Sequence, residues 1–197
     1  MRVLGLTGGM GAGKTTVANI FRRSGWPVFD ADATVHRLQA KGGAAIGPIA
    51  AQWPQTVRDG AVDRVALRQA VIGHPDQMRL LEQIIHPLVR QARARFLRQA
   101  QARKAPWCAL DIPLLFETGA ERECDVTLVV TAPLSVRLQR IMRRRSITET
   151  QARALVARQM NDTERQKRAD IVIRTGLSRR HTLVQVRKLQ RQLEKLP

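Results

Sequence analysis

The sequence predicts an α/β fold in which a parallel sheet is flanked by helices, and three observations support this prediction. A short apolar segment at residues 3–7 leads into a glycine-rich loop and then into a helical pattern. Other short apolar segments, typical of buried strands, lie at residues 26–29, 106–110, 125–130 and 169–173. The stretches between these segments carry apolar residues at helical spacing, as alternating strands and helices require.

The loop at residues 8–15 reads GGMGAGKT and matches the G-x-x-x-x-G-K-[ST] pattern of phosphate-binding loops. Glycines let successive backbone N–H groups turn toward an anion, and the N-terminus of the next helix adds partial positive charge. Lys14 can reach the outer phosphates, and the hydroxyl of Thr15 can bind Mg²⁺. A chance glycine-rich turn is disfavoured because a strand precedes the loop and a helix follows it. We therefore expect a P-loop NTPase fold that binds ATP through Gly8, Gly11, Ala12, Gly13, Lys14, Thr15 and Thr16.

The chain is strongly basic, with 34 Lys and Arg against 16 Asp and Glu and a net charge of +18. This charge fits a polyanionic small substrate, a set of arginines on solvated helix faces, or a nucleic-acid surface. Aromatic residues make up only 4% of the chain and Tyr is absent, so platforms for base stacking are scarce. We therefore expect no specific nucleic-acid partner.

Length and cysteine content indicate a cytoplasmic protein of one domain, or of one core with an inserted lobe. The chain has 197 residues, no apparent leader, and no apolar stretch of membrane-spanning length. Cys108 and Cys124 lack metal-ligand spacing and fit reduced thiols. We expect no membrane partner, and the sequence leaves open whether the protein is a monomer or a small homo-oligomer.

Two aspartates, Asp30 and Asp32, end the second predicted strand. In open α/β sheets the ligand lies beyond the carboxyl ends of the strands, so this pair is expected to face the phosphate loop. Either carboxylate could act as a general base for a substrate hydroxyl or contact Mg²⁺. The alternative is that an aspartate caps the helix that follows. The two residues could divide these roles, because alternate strand residues share a face.

Residues 33–104 read mainly as helices and turns, which is too much helix for a simple crossover between strands. We expect an inserted helical lobe that covers a substrate, with Asp63 capping one of its helices. Pro87 suits the first turn of a later helix and would place His86 near its N-cap. A structural cap is the commoner role for such a histidine, and the proline argues against a metal site formed by Glu82 and His86.

The strand at 106–110 ends in Asp111, and the mainly apolar residues 112–117, which end in Glu117, are expected to continue it. An acid at the tip of a core strand could meet Mg²⁺, its water shell or the substrate. It could equally bond only to nearby backbone groups.

A dense basic run follows the strand at 125–130 and predicts a helical lid. Arg140 and Arg144 are four residues apart and would lie on one helix face. Thr148 and Gln151 form a capping-box pattern that opens a second helix. Lids bring arginines onto a transferred phosphoryl group, although some of these arginines would simply be solvated. A C-terminal amphipathic helix is indicated by apolar residues at 186, 189, 193 and 196.

Taken together, these residues closely resemble the dephospho-CoA kinase family along nearly the whole chain. The glycine loop alone is shared by many unrelated proteins, whereas the other stretches in this order are much more specific. The matching segments are 6–18, 30–32, 86–87, 111–117 and 169–173, with Arg140, Arg144 and Gln159.

The resemblance implies that the γ-phosphate of ATP is transferred to the ribose 3′-hydroxyl of dephospho-CoA, with Mg²⁺, in the last step of CoA synthesis. It also implies three parts: a nucleotide-binding core (1–32, 105–136 and 160–197), a helical CoA-binding lobe (33–104) and a lid (137–159). In the family, the proposed base falls on Asp32, the phosphate-binding lysine on Lys14 and the lid arginine on Arg140. The residues expected to contact the substrate are Asp30, His86 and Asp111.

Three positions depart from the family pattern. Thr15 stands where many members have Ser, and this exchange keeps the hydroxyl. Arg174 and Thr175 follow the last strand where Asp-Asn is usual, near the adenine site of the family. Leu155 occupies a lid position where members often carry Arg.

Without the resemblance, the residues would indicate only a P-loop kinase of a small hydroxyl-bearing substrate. A nucleoside monophosphate or gluconate kinase is the nearest alternative, and a nucleic-acid-binding ATPase is a second one. A regulatory GTPase is disfavoured, because the sequence contains no N/T-K-x-D motif after a late strand.

Overall fold

The computed structural model describes residues 1–195 and shows one five-stranded sheet and one small hairpin. The strands are β1 (Arg2–Gly8), β2 (Val28–Asp30), β3 (Val57–Arg58), β4 (Ala61–Val62), β5 (Trp107–Asp111), β6 (Val126–Thr131) and β7 (Ile171–Arg174). The strand order of the sheet is β2-β5-β1-β6-β7, while β3 and β4 form the hairpin. β1 pairs in parallel with β5 on one side and with β6 on the other, and β7 extends parallel to β6. The expected parallel sheet flanked by helices is confirmed.

The helices of the described residues are α1 (Lys14–Arg23), α2 (Ala31–Gln39), α3 (Ile46–Gln52), α4 (Arg64–Val71), α5 (Pro75–Ala102), α6 (Leu134–Arg145), α7 (Glu149–Ala157), α8 (Asp162–Arg168) and α9 (Arg179–Leu193). The carboxylate of Asp63 caps α4, and Thr148 and Gln151 form the expected capping box of α7. Of the C-terminal apolar positions, Leu196 lies outside the described residues. No helix within residues 1–195 is both long and apolar enough to cross a membrane.

The chain divides into two compact units, of which the first contains residues 1–29 and the chain from Ala100 onward. Its core is formed by the central strands, α1 and α9. Three aromatic rings stack in that core: Phe21 on Trp26 with ring centroids 5.0 Å apart, and Trp26 on Trp107 at 5.7 Å. Because β1 is central and its carboxyl end leads into the glycine loop, this core fixes the position of the loop.

The second unit, residues 30–99, has an apolar core of its own. It holds α2, α3, α4, the β3–β4 hairpin and most of α5. Ile49, Trp53, Leu67 and Ile85 are among its buried residues, and Trp53 donates a hydrogen bond from Nε1 to Oε1 of Gln77. Its assignment as a CoA-binding lobe stays a prediction.

Three local expectations were wrong. β5 stops at Asp111 instead of continuing through 112–117, where Pro113 has no N–H for a strand ladder and the chain forms turns.

No helix begins at Pro87, because α5 runs from residue 75 to 102 and contains that proline, so His86 is not at an N-cap. Apolar residues on both sides of the proline pack on the second core and offset the lost helical hydrogen bond. Asp32 lies in the first turn of α2, not on the strand that holds Asp30.

Candidate active site

The glycine loop joins the central strand β1 to α1 at the carboxyl edge of the sheet. Gly11 and Gly13 have φ angles of +76° and +93°, in the region that favours glycine. Gly13 is the N-cap of α1 and supplies no side-chain cap, which leaves the N–H groups of Lys14 and Thr15 at the start of the helix for an anion. Thr15 and Thr16 are exposed on that first turn. The local geometry is therefore that of an anion-binding loop.

The carbonyl oxygens of the loop are held from outside or by the loop itself. Gly9 accepts from the N–H of Ala12 and Gly13 from that of Thr16, both at 3.0 Å. The three carbonyls between them accept from side chains: Met10 from Nε of Arg137 (2.9 Å), Gly11 from Nη1 of Arg140 (3.1 Å), and Ala12 from the hydroxyl of Thr175. Because peptide C=O and N–H groups point in opposite directions, occupied carbonyls favour a loop that offers its N–H groups to a ligand.

Lys14 and Asp111 form an ion pair beside this loop. Asp111 ends β5 and pairs in register with Leu6 of β1, which places its carboxylate at the same sheet edge. The side chains of Lys14 and Asp111 are 18% and 5% exposed, so solvent screens the pair weakly. The ion pair with the phosphate-loop lysine is a contact that the sequence did not predict for Asp111, and its roles toward Mg²⁺ and the substrate stay predictions.

Arg140 and Arg144, expected on one face of α6, have different surroundings. Arg140 is half-buried and donates from Nη1 to the carbonyl of Gly11 and from Nη2 to the carbonyl of Thr175 at 2.7 Å. Arg144 is exposed one turn further along the helix. Thr175, a departure from the family pattern, is buried and joins the loop to the end of β7 through its hydroxyl bond to Ala12.

A buried charged network behind the loop was missed by the sequence reasoning. Oδ1 of Asp162 lies 3.2 Å from an Nη1 atom of both Arg137 and Arg165, which are 4% and 1% exposed. Glu117 lies 3.5 Å from Nη2 of Arg165. Burial lowers the pKa of Arg137, an effect that Asp162 opposes and Arg165 reinforces. Arg137 belongs to the basic run already noticed, but Asp162 and Arg165 lie in a polar stretch without a motif.

A side chain at Gly9 would have to displace the guanidinium of Arg137 from this network. A Cβ atom built there would lie 2.4 Å from Nη2 of Arg137 and 3.2 Å from Nη1 of Arg165. Glycine at this position therefore permits two guanidinium groups to approach the loop backbone.

Three of the expected site residues belong to the second unit. Asp30 caps α2, because its Oδ1 accepts a hydrogen bond from the N–H of Ala33 at 2.9 Å. Asp32 is exposed on the first turn of the same helix, and His86 is exposed in the middle of α5. The capping role considered for this pair thus falls to Asp30 and not to Asp32.

Comparisons with known proteins identify the family of the chain. The family profile described as dephospho-CoA kinase matches residues 2–179. A curated dephospho-CoA kinase of Gluconobacter oxydans is 54% identical over 98% of both chains. The crystal structure of TT1252 from Thermus thermophilus has a TM-score of 0.82 at 36% identity, covering 100% of this chain and 98% of that one. A dephospho-CoA kinase from Campylobacter jejuni shares the fold, with a TM-score of 0.66 at 21% identity and 98% and 97% coverage. The chain belongs to the dephospho-CoA kinase family.

Proposed function

We propose that this protein transfers the γ-phosphate of ATP to the ribose 3′-hydroxyl of dephospho-CoA and releases CoA and ADP. The observation that carries the proposal is the loop at residues 8–15, with its occupied carbonyls and its Lys14–Asp111 pair, in a family member. This loop supplies the phosphate contacts that a kinase needs, and the family supplies the acceptor.

The phosphate contacts come from the first unit. The phosphates are bound along the segment that holds Gly8, Gly11, Ala12, Gly13, Thr15 and Thr16. The N–H groups of Ala12 and Thr16 donate to the carbonyls of Gly9 and Gly13, so other backbone N–H groups of the segment and the threonine hydroxyls make the contacts. The ammonium of Lys14 stabilises the charge on the transferred phosphoryl group. Arg140 and Arg144, on α6, bind the phosphates of ATP as well. Because little covalent chemistry falls to a kinase, positioning and charge stabilisation account for most of the catalysis.

The acceptor chemistry falls to Asp32. Its carboxylate accepts the proton of the ribose hydroxyl as the new O–P bond forms and the bond to the β-phosphate oxygen breaks. Support comes from its exposure and from the capping of α2 by Asp30, which leaves Asp32 free of that task. We assign Asp30, His86 and the second unit, with Asp111, to substrate binding.

The residues present fit Mg²⁺, a hard cation that prefers oxygen ligands. Such ions are commonly held by one or two protein oxygens together with substrate phosphates and water. The hydroxyl of Thr15, exposed on the first turn of α1, would be a direct ligand, and the carboxylate of Asp111 lies at the same sheet edge. Bound there, the ion would neutralise phosphate charge.

The basic composition is consistent with small polyanionic substrates. We propose a cytoplasmic enzyme that takes ATP and dephospho-CoA and needs no nucleic acid. The segment 137–159, which includes most of α6 and all of α7, is proposed as the lid.

The test is ADP release measured over a panel of acceptors. Dephospho-CoA should support turnover, and its product should have the mass of CoA, whereas CoA itself should fail because its 3′-hydroxyl is already phosphorylated. Gluconate and nucleoside monophosphates test the alternative kinases, and added DNA tests the nucleic-acid alternative. Faster turnover with any of those acceptors, or dependence on DNA, would overturn the proposal.

A further inference from the structure

Met10, in the middle of the phosphate loop, has both of its backbone polar groups bonded to side chains. Its N–H donates to Oε1 of Gln159 at 2.8 Å, and its carbonyl accepts from Nε of Arg137 at 2.9 Å. Both distances are ordinary for hydrogen bonds of this type. The peptide groups on either side of Met10 are therefore fixed by residues far away in the sequence.

The two partners come from the beginning and the end of the α6–α7 segment in sequence and meet at Met10. Arg137 is in the first turn of α6, and Gln159 follows the end of α7 by two residues. The side chain of Met10 also packs on the small apolar cluster inside that hairpin, formed by Leu138, Ile141 and Ala152. Three separate contacts therefore join one loop residue to the hairpin.

The bonds have opposite effects on the groups available to a phosphate. Gln159 engages the N–H of Met10, which is then not offered to an anion. Arg137 holds the carbonyl of Met10, so that the N–H of the next residue, Gly11, points the other way. Asp162 in turn holds the guanidinium of Arg137, with its Oδ1 3.2 Å from Nη1.

We propose that Arg137 and Gln159 are positioning residues that set the nucleotide-binding shape of the phosphate loop and couple it to the α6–α7 hairpin. The proposal rests on the proposed function only in taking ATP and ADP as the nucleotides. Neither side chain is required to touch the phosphates, because both act through the Met10 backbone.

Gln159→Met and Arg137→Lys test the proposal. Gln159→Met removes the oxygen that accepts from the Met10 N–H and keeps a side chain of similar length. Arg137→Lys keeps the positive charge opposite Asp162 but removes the Nε that donates to the Met10 carbonyl. Arg143→Lys and Arg158→Met are the matched controls: Arg143 is exposed in the last turn of α6, and Arg158 is exposed directly before Gln159. ADP affinity is measured by calorimetry without acceptor, together with the melting temperature, and amide hydrogen exchange reports on the Met10 N–H.

Each test variant should bind ADP about fivefold to tenfold more weakly, the value of one hydrogen bond, while the controls bind it normally. The KM for dephospho-CoA should stay within a small factor. The double variant should weaken binding by less than the product of the single effects, because the two changes free the adjacent peptide groups of one residue, Met10. In Gln159→Met, the Met10 amide should exchange faster.

Variants that melt earlier but bind ADP like the wild type would overturn the proposal, since the two residues would then serve packing alone. If Arg137→Lys does not fold, Gln159→Met decides the question by itself, because Gln159 is only half-buried. A wild-type protein that binds ADP but leaves dephospho-CoA unchanged would refute the proposed function and not this inference.

Discussion

The ammonium of Lys14 donates a hydrogen bond to the carboxylate of Asp111, which ends the strand next to β1. Both groups lie mostly out of solvent, so the pair is worth more than an exposed ion pair would be. The carboxylate also limits the orientations of the long lysine side chain. A lysine held in one place can stabilise charge that develops during the reaction without first reorganising.

Lys14→Ala should lower kcat by about 10²- to 10³-fold, as the removal of a comparable electrostatic stabiliser does. The variant also leaves Asp111 buried without its cation, so circular dichroism must establish that the fold is retained. Turnover close to that of the wild type in a folded Lys14→Ala protein would remove Lys14 from the mechanism.

Asp32→Asn should lower kcat by roughly 10²- to 10⁴-fold, because the amide cannot accept the proton of the ribose hydroxyl. Affinity for dephospho-CoA should change far less, and both quantities are measured on the same preparation. Asp59→Asn, which removes a charge from the exposed turn of the hairpin in the same unit, is the control. An active Asp32→Asn enzyme would contradict the assignment.

Arg140→Lys should reduce kcat/KM for ATP by roughly tenfold, although the charge is kept. The guanidinium bonds the carbonyls of Gly11 and Thr175 through two different nitrogens, and a single ammonium cannot reproduce that fork. Arg143→Lys, on the exposed part of α6, should be neutral. Equal steady-state kinetics for Arg140→Lys and the wild type would mean that Arg140 acts only as diffuse charge.

The melting temperature should depend on pH in part because the carboxylate of Asp170 stabilises the fold. Hydrogen bonds from the hydroxyl and the N–H of Thr127, both at 2.7 Å, lower the pKa of this carboxyl. The resulting stabilisation is present above the ordinary aspartate pKa of about 3.9 and is lost as the pH falls through the lower folded pKa. Asp170→Asn should therefore melt earlier at neutral pH, with the difference narrowing in acid. A pH-independent difference in melting temperature would contradict this account.

The two cysteines should react with iodoacetamide at very different rates. Burial, reinforced by Asp125, raises the pKa of the Cys108 thiol to about 11, and its side chain is fully enclosed. At pH 8 about one thiol in a thousand would be ionised, and thiolate is the reactive form. Peptide mapping should find Cys124, which is partly exposed, labelled first. Equal labelling of the two cysteines would show that the core opens readily.

The glycine loop could be predicted from the sequence because its geometry is local. A strand, glycines that tolerate positive φ and a helix start occur within a few residues, and the loop at 8–15 needs nothing more distant. The cap at Asp63 and the capping box at Thr148 were predictable for the same reason.

The residues around the loop could not be predicted in this way. Asp162 and Arg165 reach it from more than a hundred residues away, and no spacing rule joins them to Gly9. Pro87 misled the prediction because helix propensity is a local preference, whereas the second core stabilises α5 on both sides of it. The assignment of capping to Asp30 required the coordinates, since either aspartate had suitable chemistry.

The tryptophans are distributed so that the protein carries its own optical labels. Trp26 and Trp107 stack almost in parallel, at an interplanar angle of 9°, in the core of the first unit, and Trp53 is buried in the second. Because the chain has no tyrosine, near-ultraviolet signals come almost wholly from these three rings. Trp53→Phe would confine the fluorescence to the first unit and leave the stacked pair as an exciton-coupled reporter. The unfolding of the first unit can therefore be recorded by itself without attaching a dye.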